Sequence, residues 1–523
     1  MHIDPGDDVL QYPLGQRTVS STLLEPFTRW DAARLLSIAH NGREGDATYS
    51  EQSHAFLPLY PMAVRASRLG LLSFFPNMDV KEAAVLGGLI LSVISFVLAT
   101  GALYDMTLTI SSVYRPTDAA VMAKNVSFLF IFNPSNVFFT SVYTESMFSF
   151  LTFCGYAFWA RAVLTCDNQL DRLRLQLPAV FCWISASYTR SNGTAVAVFI
   201  LLSLIGSIAG TLRGLLNQGN SSRIRALIHI IFTSLWYVGM AILVSLPLAY
   251  HDHTGYLLHC SKYTQTCQDS GPNVCSNFQQ SNPSWCQGSR EKWYWPLPQP
   301  LPFYLIFPVK EKFSLYSYVQ RKYWNVGPFQ YYELKQIPNF FLAFPVLAIG
   351  FCASWCWCAL SIRRWKLRQS NERYSLWRHW YSWIFYALEC SSCVASSSRS
   401  NHGYSSDDGA EYFSYLNIVQ DIYFCPYISP YMLGHYAVLF ATCLVGALVS
   451  NVQITTRLVC SSCPAFYWFL AACLTNWFKK RGNNQAFIFK NDERSLPQTF
   501  LWVYLVTFNI LGCIMYVNWL PWT

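Results

Sequence analysis

Long apolar runs separated by short polar breaks constrain this chain more than any other feature. The clearest cover residues 83–103, 226–250, 340–362, 432–450 and 500–520. A helix crosses the hydrocarbon core of a bilayer in about 20 residues, whereas a spanning strand needs about 10. Runs of this length predict transmembrane helices, because in lipid every backbone N–H and C=O has to be satisfied within its own segment. Two longer stretches, 125–159 and 178–210, are broken by NPSN with YTES and by YTRSNG. Each predicts two short helices meeting at a polar elbow, since irregular backbone at membrane depth survives only where protein or a cavity surrounds it. A last, shorter run covers 464–478. The expected fold is an all-α polytopic bundle of about ten crossings. Composition agrees: 12% of the residues are charged, against about 25% in soluble domains.

The net charge of +9 raises nucleic acid as a partner. The Lys and Arg residues, however, form small clusters between apolar runs rather than the basic face that nucleic acid requires. Membrane lipids are the expected surroundings and no nucleic acid is expected. With the segment before residue 83 in the lumen, alternation places 104–124, 161–176, 211–225, 363–430 and 479–494 on the cytoplasmic side. Four of these hold the basic clusters: Arg161, Arg172 and Arg174; Arg213, Arg223 and Arg225; Arg363, Arg364, Lys366 and Arg368; Lys479, Lys480 and Arg481. Cytoplasmic loops are where such clusters belong. YTES, YTRSNG, the segment 251–338, ITTR and the terminal LPWT then face the lumen. The chain divides accordingly into 1–82, a first helical group 83–250, a luminal segment 251–338, a helix 339–362, a cytoplasmic loop 363–430 and C-terminal helices 431–523.

Cys260, Cys267, Cys275 and Cys286 cluster in the luminal segment, an oxidising compartment in which disulfides form; their pairing stays open. The pairs Cys390/Cys393 and Cys460/Cys463 fall on opposite faces, so they cannot share a tetrahedral zinc site, and they are read as incidental. The sequons at Asn125 and Asn220 lie at cytoplasmic positions and the one at Asn192 in an elbow, so none is expected to be glycosylated. Residues 395–410 (ASSSRSNHGYSSDDGA) read as a disordered cytoplasmic loop.

Few residues of this chain have chemistry to offer. Arg29-Trp30-Asp31-Ala32 precedes a Pro-punctuated aromatic segment, AFLPLYP. A carboxylate there suits a base that takes the proton of an attacking hydroxyl; the competing reading makes Asp31 a helix N-cap and Trp30 an interfacial anchor. Glu145, in YTES, lies inside an apolar stretch and needs a partner or water. Arg190, in YTRSNG with Asn192, either binds a phosphate bidentately or pairs with Glu145 and ties the two elbows together. The segments QRKYWNVG and YYELKQIPN, with Lys335, offer aromatic faces and cations for a sugar and a phosphate, or else an interfacial aromatic belt. Arg457, in ITTR, adds a luminal cation. No P-loop, G-x-G-x-x-G, H-E-x-x-H or G-x-S-x-G occurs, and no metal site or cofactor is expected.

The blocks RWDA, AFLPLYP, FNPSNVFFTSVYTESMFSFLTF, TRSNG, YWNVG with YYELKQIPNFFLA, QITTR, YWF and NWLPWT run in order from Arg29 to Thr523. Together they resemble the phosphatidylinositol-glycan class V family of GPI mannosyltransferases, within the GT-C glycosyltransferases; residues 363–430 show no such match. The resemblance implies a multi-pass protein of the endoplasmic reticulum membrane with a luminal active site. It implies dolichyl-phosphate mannose as donor, a mannosylated GPI lipid precursor as acceptor and an α-1,6-linked second mannose as product. A β-linked donor and an α product mean one inverting displacement. GT-C enzymes place an acid in the first luminal loop, and Asp31 matches it as base. Arg29, Trp30, Glu145, Arg190, Asn192, Lys335 and Arg457 are the expected substrate-binding residues. An accessory membrane subunit is a possible partner. The family carries a transmembrane helix before its RWD loop, where the first residues of this chain (MHIDPGDDVLQYPLGQ) are too polar to span, so an N-terminally truncated chain is expected. The rival readings are another GT-C transferase acting on N-glycan lipid precursors, a transporter using Arg190 and Glu145, and a non-catalytic subunit indifferent to Asp31.

Overall fold

The computed structural model describes residues 19–41, 51–114, 116, 118–166, 168–216, 220–269, 315–371, 432–474 and 496–518. Among these residues the elements are helices, with no strand. Three precede the first long span: α1 (Val19–Leu24), α2 (Asp31–Asn41) and α3 (Leu59–Phe74). The bundle follows as α4 (Val80–Tyr114), α5 (Ala119–Ile131), α6 (Asn136–Phe139), α7 (Glu145–Leu164), α8 (Gln169–Thr189), α9 (Val196–Leu216) and α10 (Asn220–Asp269). It continues as α11 (Leu315–Trp324), α12 (Ile337–Asn371), α13 (Leu433–Leu448), α14 (Thr455–Ser462), α15 (Pro464–Leu474) and α16 (Leu496–Val517).

The described parts of the expected apolar runs lie on helices, but fewer than ten of these helices are long and apolar enough to cross a membrane. Six of the described segments are long and apolar enough to cross a membrane: Val80–Val113, Glu145–Leu164, Ser191–Leu212, Ala226–Gly255, Leu334–Ile362 and Gln498–Val517. Val452–Ser462 and Pro464–Leu474, bent by 83°, make a seventh if they count as one span. Helices α5 and α13 are apolar but shorter, with 13 and 16 residues.

Both interrupted stretches are broken where expected, for identifiable local reasons. After α5, the Asn133 side chain accepts from Ser135 N–H and Oγ–H, each at 2.9 Å. This turn competes with helical hydrogen bonding, and Pro134 has no N–H to continue the ladder. The chain re-enters helix only at Asn136 and again at Glu145. Arg190 ends α8 in an extended conformation, and a tight turn over Ser191–Ala195 leads into α9. Gly193 makes that turn possible: a Cβ there would meet the Ser187 backbone at 2.6 Å.

Several expected boundaries differ: α8 already starts at Gln169, α10 starts at Asn220, and α12 runs on to Asn371. The segment 104–124 is not a loop, because α4 continues to Tyr114 and α5 starts at Ala119. Its polar side chains find partners within the bundle: Asp105 pairs with Arg161, and Thr107 accepts from Trp468 Nε1–H at 3.0 Å. Met106 and Ile110 are buried in the core beside them. Likewise α10 runs past Tyr250 to Asp269, so the segment 251–338 begins helical. Cys275, Cys286, Cys390, Cys393 and residues 395–410 lie outside the described residues. Cys460 and Cys463 are unpaired and buried in the core, which is centred on Trp159, Trp183 and Trp468. Asn125 is buried within α5.

Candidate active site

Asp31 opens α2 at a strained junction. Arg29 is extended and Trp30 has φ +59°, a left-handed conformation that costs a non-glycine residue about 1–3 kcal/mol. Two contacts hold it: Trp30 Nε1–H donates to the Tyr516 carbonyl at 3.4 Å, and Asp31 N–H donates to the Tyr143 hydroxyl at 3.2 Å. The constraint turns the Asp31 carboxylate toward the two broken elbows.

Those elbows and ITTR supply the rest. Glu145, the first residue of α7, is completely buried, with Oε1 2.5 Å from Arg190 Nη1 and 2.6 Å from Arg457 Nη2. Arg457 Nε–H also donates to Glu145 Oε1 at 2.6 Å, while its Nη1 reaches Asp31 Oδ2 at 3.3 Å. Arg190 Nη1–H donates to Thr144 Oγ1 at 2.9 Å and Nε–H to Asn192 Oδ1 at 3.2 Å. The Arg457 guanidinium lies over the rings of Phe138, at 4.4 Å, and Tyr143, at 5.0 Å. The chain Asp31–Arg457–Glu145–Arg190 thus alternates in sign and is neutral overall. Low dielectric makes such alternation necessary, because one unpaired member would be a buried charge.

The two carboxylates differ sharply in access. Glu145 is fully buried between two guanidiniums, whereas the Asp31 side chain is 35% exposed. Asp31 is the more accessible of the two carboxylates, and Glu145 is the counter-charge of both guanidiniums. Arg190 Nη2 makes no hydrogen bond among the described residues, and Asn192 Nδ2 is unpartnered there as well.

The structure therefore brings together Asp31, Glu145, Arg190, Asn192 and Arg457, with Trp30 as the strained hinge. Arg190 pairs with Glu145, the alternative that ties the elbows together, and still has a free edge. Arg29 pairs with Glu25 at 3.6 Å. Lys335 is not brought into contact with the cluster; it is exposed and pairs with Glu333 at 2.5 Å. Sequence reasoning passed over Tyr143, Thr144, Phe138 and Tyr516 as individual residues. The first two sat in plain view inside YTES, but Tyr516 lies within an apolar run that carries no signal. Next to the elbow, Ser191 Oγ and the Tyr316 hydroxyl are 2.6 Å apart, and Tyr316 N–H donates to Asp252 Oδ1 at 2.8 Å. This contact links α10 and α11 to the cluster. Sixteen residues of α7 separate Glu145 from Arg161, about 24 Å at 1.5 Å per residue, so the cluster lies at the end of the bundle opposite the Arg161–Asp105 pair.

A helical membrane bundle that gathers a partly exposed carboxylate and two guanidiniums at one end has the groups that a membrane-embedded enzyme would need for proton transfer and for holding an anion. The sequence model of the mannosyltransferase (PIG-V) family matches residues 12–523, and the chain belongs to that family. It is similar to GPI alpha-1,6-mannosyltransferase 2 of Mus musculus, 26% identical over 96% of this chain and 88% of the relative. The Homo sapiens protein of the same name is 25% identical over the same shares. GPI mannosyltransferase 2 of Drosophila pseudoobscura pseudoobscura is 26% identical over 96% of this chain and 87% of its own length. No solved structure matches the chain.

Proposed function

We propose that this chain transfers the second, α-1,6-linked mannose of the GPI anchor from dolichyl-phosphate mannose to a mannosylated GPI lipid precursor, at the luminal face of the endoplasmic reticulum membrane. Membership of a mannosyltransferase family supports the reaction class, and the names of the relatives support the linkage. The observation that carries the mechanism is the contrast between reachable Asp31 and buried Glu145 across one shared guanidinium.

The acceptor 6-hydroxyl attacks the anomeric carbon of the donor from the face opposite the phosphate, and Asp31 takes its proton. As the new C–O bond forms, the bond to the phosphate oxygen breaks. Its electron pair leaves with dolichyl phosphate, which gains negative charge. The free edge of Arg190 and the guanidinium of Arg457 stabilise that charge. Glu145 holds both cations in register, so they are preorganised before the donor arrives. Lys335 has no contact with the cluster and is assigned no part in this step.

The test is expression in cells lacking their own second GPI mannosyltransferase, with accumulated GPI lipids identified by mass spectrometry. The chain is expected to convert the one-mannose intermediate and the Asp31→Asn variant to leave it in place. A well-expressed chain that leaves the intermediate untouched removes the mannosyltransferase reading. An Asp31→Asn variant of full activity removes the base assignment only.

A further inference from the structure

Where α2, α3 and α4 meet, a buried cation stands without a carboxylate partner among the described residues. Arg68 lies on the inner face of α3 and is 7% exposed. The two helices approach so closely there that a Cβ on Gly87 would meet the Arg68 backbone nitrogen at 3.1 Å. The guanidinium makes one hydrogen bond, from Nη1–H to His40 Nδ1 at 3.2 Å, and its Nε is buried without a partner among the described residues. Asp79 is engaged elsewhere, its Oδ1 accepting from Lys81 N–H at 2.9 Å and Glu82 N–H at 3.1 Å at the start of α4. Glu82 accepts from Ser20 Oγ–H at 3.1 and 3.0 Å. His40 supplies no counter-charge: burial, then Arg68 and Lys81, lower its pKa against a smaller opposing effect of Asp79. Among the described residues no carboxylate reaches this buried guanidinium, whose one partner is an imidazole, and a charge so placed favours an anion beside it.

Its depth indicates which kind. Eighteen residues of α4 separate Gly87 from Asp105, about 27 Å along the helix and close to the hydrocarbon thickness of a bilayer. With the Asp105–Arg161 pair at one edge of such a slab, Arg68 would fall at the headgroup level of the other. On the outer face of α3, Met62 is 58%, Leu69 56% and Phe74 81% exposed, an apolar surface suited to acyl chains. His40 is nine residues from Asp31 along α2, about 14 Å, which separates this place from the Asp31–Glu145 cluster.

We propose that Arg68, flanked by His40 and Lys81, is a binding site for the phosphoryl group of a membrane lipid, separate from the site that holds Asp31. The inference rests on no reading of the reaction. The experiment uses the purified full chain in neutral detergent and follows thermal unfolding against dioctanoyl phosphatidylinositol, a short prenyl phosphate and inorganic phosphate. At least one lipid is expected to raise the unfolding temperature, and Arg68→Met to need about tenfold more of it for the same protection. Protection by phosphatidylinositol alone identifies a structural phospholipid, and protection by the prenyl phosphate alone a carrier lipid. Asp31→Asn is expected to keep the response, even if the chain proves to transfer no mannose. Should Arg68→Met not fold, Lys81→Gln, a half-buried change, is expected to weaken the same protection. Protection by inorganic phosphate only, protection equal to wild type in the Arg68 or Lys81 variant, or its loss in Asp31→Asn would overturn the proposal.

Discussion

Asp31 and Glu145 share Arg457 but stand in opposite environments, so their substitution separates chemistry from architecture. Asp31→Asn keeps the size of a partly exposed side chain and leaves the Glu145 pairs intact. It is expected to lower transfer by at least about 100-fold, as for loss of a general base, with a thermal midpoint close to that of wild type. Glu145→Gln leaves Arg190 without a carboxylate and Arg457 with Asp31 alone. Breaking a buried pair in this way costs about 3–5 kcal/mol, so a lower midpoint in detergent is expected together with lost activity. Equal midpoints for the two variants would mean that Glu145 is not the anchor. Arg457 uses three N–H groups on two carboxylates, a fork that an ammonium cannot reproduce. Arg457→Lys is therefore expected to lose most of the activity despite keeping its charge, measured in the same complementation assay.

At the scale of elements, the site exists because helices stop. Pro134 and the Asn133 turn end α5, Arg190 ends α8, and the 83° break at Cys463 turns α14 against α15. Behind these breaks the helices must pack closely enough to hold four charges in place. One close approach joins α7 to α8, where Gly155 faces the Trp183 indole, whose Nε1–H donates to the Thr152 carbonyl at 3.3 Å. Gly155→Leu is expected to force the two helices apart at a cost of about 1–3 kcal/mol or more. The checks are reduced yield of folded protein and a lower thermal midpoint; an unchanged midpoint would contradict the packing described. Helix breaks were legible in the sequence, since Pro, Asn and Gly punctuate apolar runs for local reasons. The reach of α4 to Tyr114 was not. Asp105 and Thr107 look like loop residues until Arg161 and Trp468, distant in sequence, give them partners.

For the whole molecule, charge sorts to the two ends of the bundle, with the Arg161–Asp105 pair at one and the Asp31–Glu145 cluster and Arg68 at the other. A single-cysteine comparison follows from this. Asn77→Cys and Thr165→Cys, both at exposed positions, are expected to react with a membrane-impermeant maleimide from opposite faces of sealed microsomes. Labelling of both from the same face would break the arrangement of α4 and α7 as antiparallel membrane helices.

The sequence by itself determined the class of fold, the elbows and the candidate charges, because bilayer thickness and backbone satisfaction act on each segment separately and leave their mark in its length and polarity. Asp31, Glu145, Arg190 and Arg457 could each be singled out in this way, as ionisable groups beside or within apolar runs. Only the tertiary structure decided which of them meet, which carboxylate is open, and that Lys335 stays outside while Tyr143 and Tyr516 clamp the Trp30–Asp31 junction. It also decided that Arg68, unremarkable in sequence, is buried without a carboxylate partner among the described residues. Pairing and burial arise from residues hundreds of positions apart, and no local pattern records which charge will find a partner and which will be left to an outside ligand.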